Sequence, residues 1–118
     1  MGDRLVKLNA LLRDVVGKVI LEEADIENSP LITVVRADVS PTLEHATVWI
    51  SVLPIDRGSV VLDYLKQNIY HLQQIINKSL AMRPVPKIRF ELDTTEERAA
   101  RIEKLLDEVE KPEEDVVN

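Results

Sequence analysis

The first half of the chain changes from helical to strand-like hydrophobic spacing. Apolar residues recur every three or four positions from Arg4 to Glu22, which predicts an amphipathic helix. Two β-branched runs follow, LITVVRADV and ATVWISVLP, separated by the turn residues SPTLEH, and they predict an antiparallel hairpin. Alternation in the second run turns Trp49 outward with Thr47, Ser51 and Leu53, and the inward positions are Ala46, Val48, Ile50 and Val52.

A second helical stripe runs from Val60 to Ala81 without Pro or Gly. One straight helix of that length would measure roughly 33 Å, which is longer than a small domain covers. A break is therefore expected. Asn68 is the best candidate because Asn is a poor interior helix former and a good N-cap, and Ser59 is expected to cap the first half.

The last part of the chain predicts one strand and one helix. Pro84 and Pro86 end the stripe and hold the chain extended, and KIRFEL then alternates as a strand. Asp93 or Thr94 is expected to open the last helix, with Thr94 and Glu97 as a capping box. The apolar face of this helix consists of Ala99, Ile102, Leu105, Leu106 and Val109.

These elements define an α+β fold of order α-β-β-α-(kink)-α-β-α. The predicted architecture is a three-stranded sheet with helices packed on one face. With 118 residues and only four aromatic side chains, the core must be aliphatic and belong to one domain.

The negative charge of the chain is concentrated at its end. The formal net charge is −6, and residues 107–118 contribute −5 of it through six carboxylates and one lysine. A segment this acidic buries too little apolar surface to order itself. We therefore predict a domain over residues 1–110 and a disordered acidic tail over residues 111–118.

One window, from Tyr64 to Phe90, contains no Asp or Glu. It is either an ordinary solvated surface or a surface kept free of acids for the phosphates of a nucleic acid. Under the second interpretation Tyr70 stacks on a base, and Gln67, Gln73, Gln74 and Asn77 offer further hydrogen-bonding groups. The candidate RNA-binding residues are Lys66, Asn68, Tyr70, Lys78, Arg83, Lys87 and Arg89. Trp49 either stacks on a base or, as we favour, covers sheet surface or contacts the last helix.

The sequence shows none of the residue combinations that are typical of enzyme active sites. There is no Cys, and the three glycines form no phosphate-binding loop. His45 and His71 lie apart without a metal-ligand spacing, and adjacent carboxylates on helices face different directions. We expect no enzyme activity, cofactor or metal. Neither a signal peptide nor a membrane-length apolar run is found, which is compatible with the cytoplasm.

Two segments resemble the bacterial ribosome-binding factor A family. VSPTLEHATVWISV is similar to the family's first two strands, and VPKIRFELDTTEERAARIEKLL is similar to its last strand and helix. The element order agrees, and the resemblance extends roughly from Arg4 to Leu106. Where the family has Ala-x-Gly at the helix kink, this chain has Asn68, Ile69 and Tyr70.

The resemblance implies a type II KH-like RNA-binding domain and a role in ribosome biogenesis. Members bind the free small (30S) ribosomal subunit and assist late maturation and 5′-end processing of its 16S rRNA without catalysing a reaction. The family is associated with growth in the cold. The expected partner is therefore the small subunit, bound by a cytoplasmic monomer. The alternative is a small protein-interaction module whose basic window meets an acidic protein.

Overall fold

The structure, a computed structural model, describes the backbone from Gly2 to Val117 and the side chains of residues 3–109 except Glu96. Its elements follow the predicted order and confirm the α+β class. In chain order they are α1 (Gly2–Glu23), β1 (Leu31–Val39), β2 (His45–Leu53), a 3-10 turn (Ile55–Arg57), α2 (Gly58–Gln67), α3 (Ile69–Ser79), β3 (Lys87–Leu92) and α4 (Thr95–Val117).

The three strands form one sheet of order β1-β2-β3. The hairpin is antiparallel, with Val39 opposite Ala46, and a bulge between Val34 and Arg36 shifts its register. Strand β3 pairs parallel to β2, with Ala46 opposite Ile88. A parallel pair needs a long crossover, and α2 and α3 provide it. This connection puts β3 at one edge of the sheet, beside both helices.

The core lies between the sheet and helices α1, α2 and α3. The inward residues of β2 are buried, as the alternation predicted. They pack with Phe90 of β3, which is 2% exposed, and with Leu12 and Val16 of α1, which are fully buried. The other core residues are Val19, Ile20, Ala37, Val39, Val61, Leu65, Leu72, Ile76, Leu80 and Ile88.

The long helical stripe is interrupted at Asn68, as predicted. The residue has φ −104° and ψ 15°. Its side-chain Nδ2 donates to the carbonyl oxygen of Tyr64 at 2.8 Å, which also accepts the backbone N–H of Asn68 at 3.0 Å, so the side chain bonds to the end of α2 rather than to a free N–H of α3. The two helices therefore meet at a fixed break. The second of them ends at Ser79, two residues before the predicted Ala81.

The expected Ser59 cap is wrong, whereas Asp93, one of the two residues expected to open the last helix, does cap it. Helix α2 begins at Gly58 behind the 3-10 turn, so Ser59 lies inside it and Arg57 occupies the N-cap position. At α4 the cap comes from Asp93, whose Oδ1 accepts hydrogen bonds from the backbone N–H of Thr95 at 2.9 Å and from its hydroxyl.

Helix α4 departs from the predicted packing. Its apolar residues are exposed rather than packed with the other helices, and the exposed fractions of Ile102, Leu105, Leu106 and Val109 lie between 53% and 64%. The backbone is helical to Val117, through the segment expected to be a disordered tail. The division between a domain over residues 1–110 and a separate tail stays a prediction.

Candidate nucleic-acid interface

A shallow groove of about 170 Å³ lies where the helix break faces the edge strand. Lys66, in the last turn of α2, and Ile69, the first residue of α3, line one side. Ile88, Arg89 and Phe90 of β3 line the other. The groove exists because the break at Asn68 brings two helix ends to the strand. It combines an apolar floor with one lysine and one arginine.

The amide of Gln73 fixes the distance between α3 and the start of β3. Its Oε1 accepts the backbone N–H of Ile88 at 2.8 Å, and its Nε2 donates to the carbonyl oxygen of Pro86 at 3.1 Å. The same Nε2 donates to Asn77 Oδ1 at 2.9 Å. The sequence had suggested Gln73 and Asn77 as groups for RNA, whereas here they hold the groove together. The available signal was the position of Gln73 beside Leu72, at the border of the apolar stripe.

The structure brings only some of the seven candidate residues together. Lys66 and Arg89 share the groove, and Asn68 forms the adjacent break. The side chain of Tyr70, one residue into α3, is exposed, with the whole residue 77% accessible. It is thus available beside the groove.

The other three candidates lie toward the far end of α3. Lys78 is in its last turn, Arg83 is in the connection to β3, and Lys87 is the first residue of β3, all of them exposed. Arg83 Nη1 donates to the carbonyl oxygens of Leu80 at 2.7 Å and Met82 at 2.6 Å. Its guanidinium therefore also stabilises the connection before Pro84.

The first carboxylate after the acid-free window, Glu91, lies on the same face of β3 as Arg89. Arg89 Nη2 lies 2.8 Å from Glu91 Oε1, and the Arg89 side chain is 74% exposed. An exposed ion pair of this kind contributes about 0–1 kcal/mol. A phosphate is therefore able to replace Glu91 as the partner of Arg89.

Trp49 lies on the outward face of the sheet, as predicted. It pairs in register with Arg36 of β1, whose Cζ is 4.0 Å from the ring centroid. A cation–π contact at an exposed site stabilises by about 0.5–1 kcal/mol. One face of the indole is thus already covered by a strand neighbour, in keeping with the favoured interpretation that Trp49 covers sheet surface.

The described residues hold no group of three or more His, Cys, Asp or Glu side chains placed to bind a metal. In the same part of the chain, no helix has the length and hydropathy needed to cross a membrane.

Comparison with known proteins identifies the family. A family model described as ribosome-binding factor A matches residues 4–106. The chain belongs to the ribosome-binding factor A family. Ribosome-binding factor A of Rubrobacter xylanophilus is 33% identical over 106 residues, covering 90% of this chain and 87% of the relative. That of Chlorobium phaeobacteroides is 32% identical over 117 residues, covering 97% and 100%.

Solved structures of the family share the fold. The crystal structure of ribosome-binding factor A from Thermus thermophilus matches with a TM-score of 0.65 and 20% identity, covering 75% of this chain and 93% of that one. A homology model of the Thermus thermophilus protein, fitted into a cryo-electron microscopy map of a 30S–RbfA complex, matches with a TM-score of 0.61 and 20% identity, over 72% and 90%. The expected type II KH-like fold is confirmed.

Proposed function

We propose that this protein binds the free small ribosomal subunit and assists late maturation of 16S rRNA, including processing of its 5′ end, without catalysing a reaction. The groove between the helix break and β3 is the observation that carries the proposal, because it joins cationic side chains to an apolar floor. Membership of a family named for ribosome binding supports it. So does the structural relative fitted into a map of a 30S complex.

The groove suits a single RNA strand. Lys66 and Arg89 supply positive charge for phosphates, and the half-buried Ile69 offers apolar surface for a base or ribose above the buried Ile88 and Phe90. Tyr70 adds an exposed aromatic ring on which a second base stacks. The residues that line the groove include no carboxylate, histidine or hydroxyl, so binding, rather than acid–base chemistry, is its function.

At the far end of α3, Lys78, Arg83 and Lys87 extend this positive surface. We include them as phosphate contacts that orient the domain on the subunit rather than as groups that read bases. The proposal also extends to a cytoplasmic monomer that supports growth in the cold.

Sedimentation tests the function directly. The protein is expected to travel with free small subunits and to be absent from assembled 70S ribosomes. Lys66→Ala should weaken binding and flatten the logarithmic salt dependence by about 0.7–0.9 for the lost phosphate contact. Lys7→Ala removes the same charge from the exposed surface of α1 and serves as the matched control.

Two outcomes would contradict the proposal. One is equal binding and salt dependence for Lys66→Ala and Lys7→Ala. The other is a partner that the protein retains after RNase treatment and that proves to be an acidic protein, which would favour the protein-interaction module.

A further inference from the structure

Helix α4 presents an apolar stripe that its own domain leaves uncovered. Ala99, Ile102, Leu106 and Val109 recur at helical spacing on one face, and Leu105 widens it. The exposed fractions are 57% for Ile102, 58% for Leu106 and 64% for Val109. Contiguous exposed apolar surface of this kind marks an interaction site.

The domain anchors only the beginning of this helix. Asp93 caps the first turn, and Glu97 lines a small pocket together with Ser51 and Gly58. Among the side chains that the structure describes, the core and the apolar residues packed against it include none from α4. The stripe is therefore available to another molecule.

The charge of α4 restricts what that molecule can be. From Thr95 to Val117 the helix has nine acidic and four basic residues, a net charge of −5. Glu103 and Glu108 fall on opposite sides of the stripe. RNA phosphates would be repelled by this helix. A second copy would oppose two helices of net charge −5, which like-charge repulsion disfavours. A basic protein surface that contains an apolar groove would complement both the apolar stripe and the negative charge of α4.

We propose that α4 docks its apolar stripe into an apolar groove on a basic protein of the particle whose RNA the β3 groove binds. This inference rests on the proposed function, because it takes the partner from the same ribosomal particle. Proteins embedded in RNA carry positive charge, which neutralises phosphates. The mode is an amphipathic helix laid into a groove, with residues at i, i+3, i+4 and i+7 as anchors. The net negative charge of α4 favours encounter with the basic rim.

Two contacts on one particle would reinforce each other. Only Asp93 and Thr94 separate β3 from α4, so docking at one surface holds the other at high effective concentration. Loss of the stripe should therefore weaken binding to the intact subunit while leaving the RNA groove unchanged.

Photo-crosslinking identifies the occupant. The full chain, carrying a benzophenone amino acid in place of Leu105, is bound to purified small subunits and irradiated. We expect a crosslink to one basic ribosomal protein. A crosslink to rRNA, a crosslink to a second copy, or no crosslink from the bound protein would each overturn the proposal.

Variants separate this inference from the proposed function. Ile102→Ser/Leu106→Ser should lower affinity for small subunits at least about tenfold and leave affinity for protein-free 16S rRNA unchanged. Ala100→Ser is a neutral change on the opposite face and should bind both normally. Circular dichroism compares the helix content of the two variants. If the double variant binds subunits normally while Lys66→Ala is impaired, the docking proposal alone fails. If Lys66→Ala also binds normally, the proposed function fails.

Discussion

At the scale of single residues, the candidate interface depends on a side chain that holds the fold together, Gln73. Gln73 uses both ends of its amide to hold β3 against α3. A sequence does not distinguish such an amide from one that faces a ligand, because the distinction depends on which backbone groups lie opposite after folding. The alternation of β3, in contrast, correctly placed Lys87 and Arg89 outside and Ile88 and Phe90 inside.

Removal of the Gln73 amide should destabilise the domain. Gln73→Ala leaves the N–H of Ile88 and the carbonyl of Pro86 without this partner, which costs about 1–3 kcal/mol for a partly buried group. Gln74→Ala, at the exposed neighbouring position, should cost less than about 0.5 kcal/mol. Urea denaturation of both variants measures the difference, and equal midpoints would show that the amide is not a structural clamp.

Substitution of the two members of the Arg89–Glu91 ion pair should have opposite effects on binding to small subunits. Glu91→Gln removes the carboxylate that pairs with Arg89 and leaves the guanidinium free for a phosphate, so affinity for small subunits should rise, most clearly at low salt. Arg89→Ala should lower it. Both variants should keep their stability within about 1 kcal/mol, because the pair is exposed. Binding titrations at two salt concentrations test this, and a fall in affinity for Glu91→Gln would exclude competition between Glu91 and RNA.

At the scale of secondary structure, hydrophobic periodicity predicted the helices and strands better than it predicted where they begin and end or what they pack against. The break at Asn68 followed from the length of the stripe and the poor helix propensity of Asn. The cap of α4 was left open between Asp93 and Thr94, because several polar residues near a helix start satisfy the same pattern, and the structure assigns it to Asp93 rather than to a Thr94–Glu97 capping box. The spacing of α4 showed an apolar face but could not show that the domain leaves it uncovered.

The cap of α4 should depend on pH. Hydrogen bonds from the Thr95 hydroxyl and backbone N–H, with help from the nearby Arg36 and Arg98 charges, hold the pKa of Asp93 below its ordinary value of 3.8. A lowered folded-state pKa means that the stabilisation is fully present above 3.8 and is lost as the pH falls through the folded value. Protection of the Thr95 amide, measured relative to its intrinsic exchange rate at each pH, should therefore fall only below pH 3.8.

Two variants test the cap. Asp93→Ala should loosen the first turn of α4 at all pH values, since loss of an N-cap costs about 0.5–2 kcal/mol of helix stability. Asp93→Asn keeps a capping oxygen without the titration, so it should remove the acid dependence of exchange. An unchanged acid dependence in Asp93→Asn would assign the effect to another group.

At the scale of the whole molecule, charge and fold divide the protein into regions with different expected partners. The core and sheet position a cationic groove beside β3, and α4 carries most of the negative charge away from that core. The acid-free window predicted the first region from sequence alone. The exposed stripe of α4 could be found only from the structure, because the spacing of apolar residues is the same whether a helix face is buried or exposed.

The acidic end of α4 should influence RNA affinity without supporting the fold. Truncation after Lys111 removes Glu113, Glu114 and Asp115 and leaves the apolar stripe intact. The melting temperature should change by no more than about 2–3 °C. Affinity for RNA should rise, because three negative charges no longer repel phosphates, and the gain should shrink as salt screens it.

A full-length variant separates charge from length. Glu113→Gln/Glu114→Gln/Asp115→Asn neutralises the same charges and should bind RNA as tightly as the truncated chain across a salt series. If only truncation raises affinity, bulk rather than repulsion limits binding. A fall in melting temperature well beyond about 3 °C on truncation would show instead that residues 112–118 pack on the domain, because removal of a merely solvated segment leaves the buried core and its hydrogen bonds unchanged.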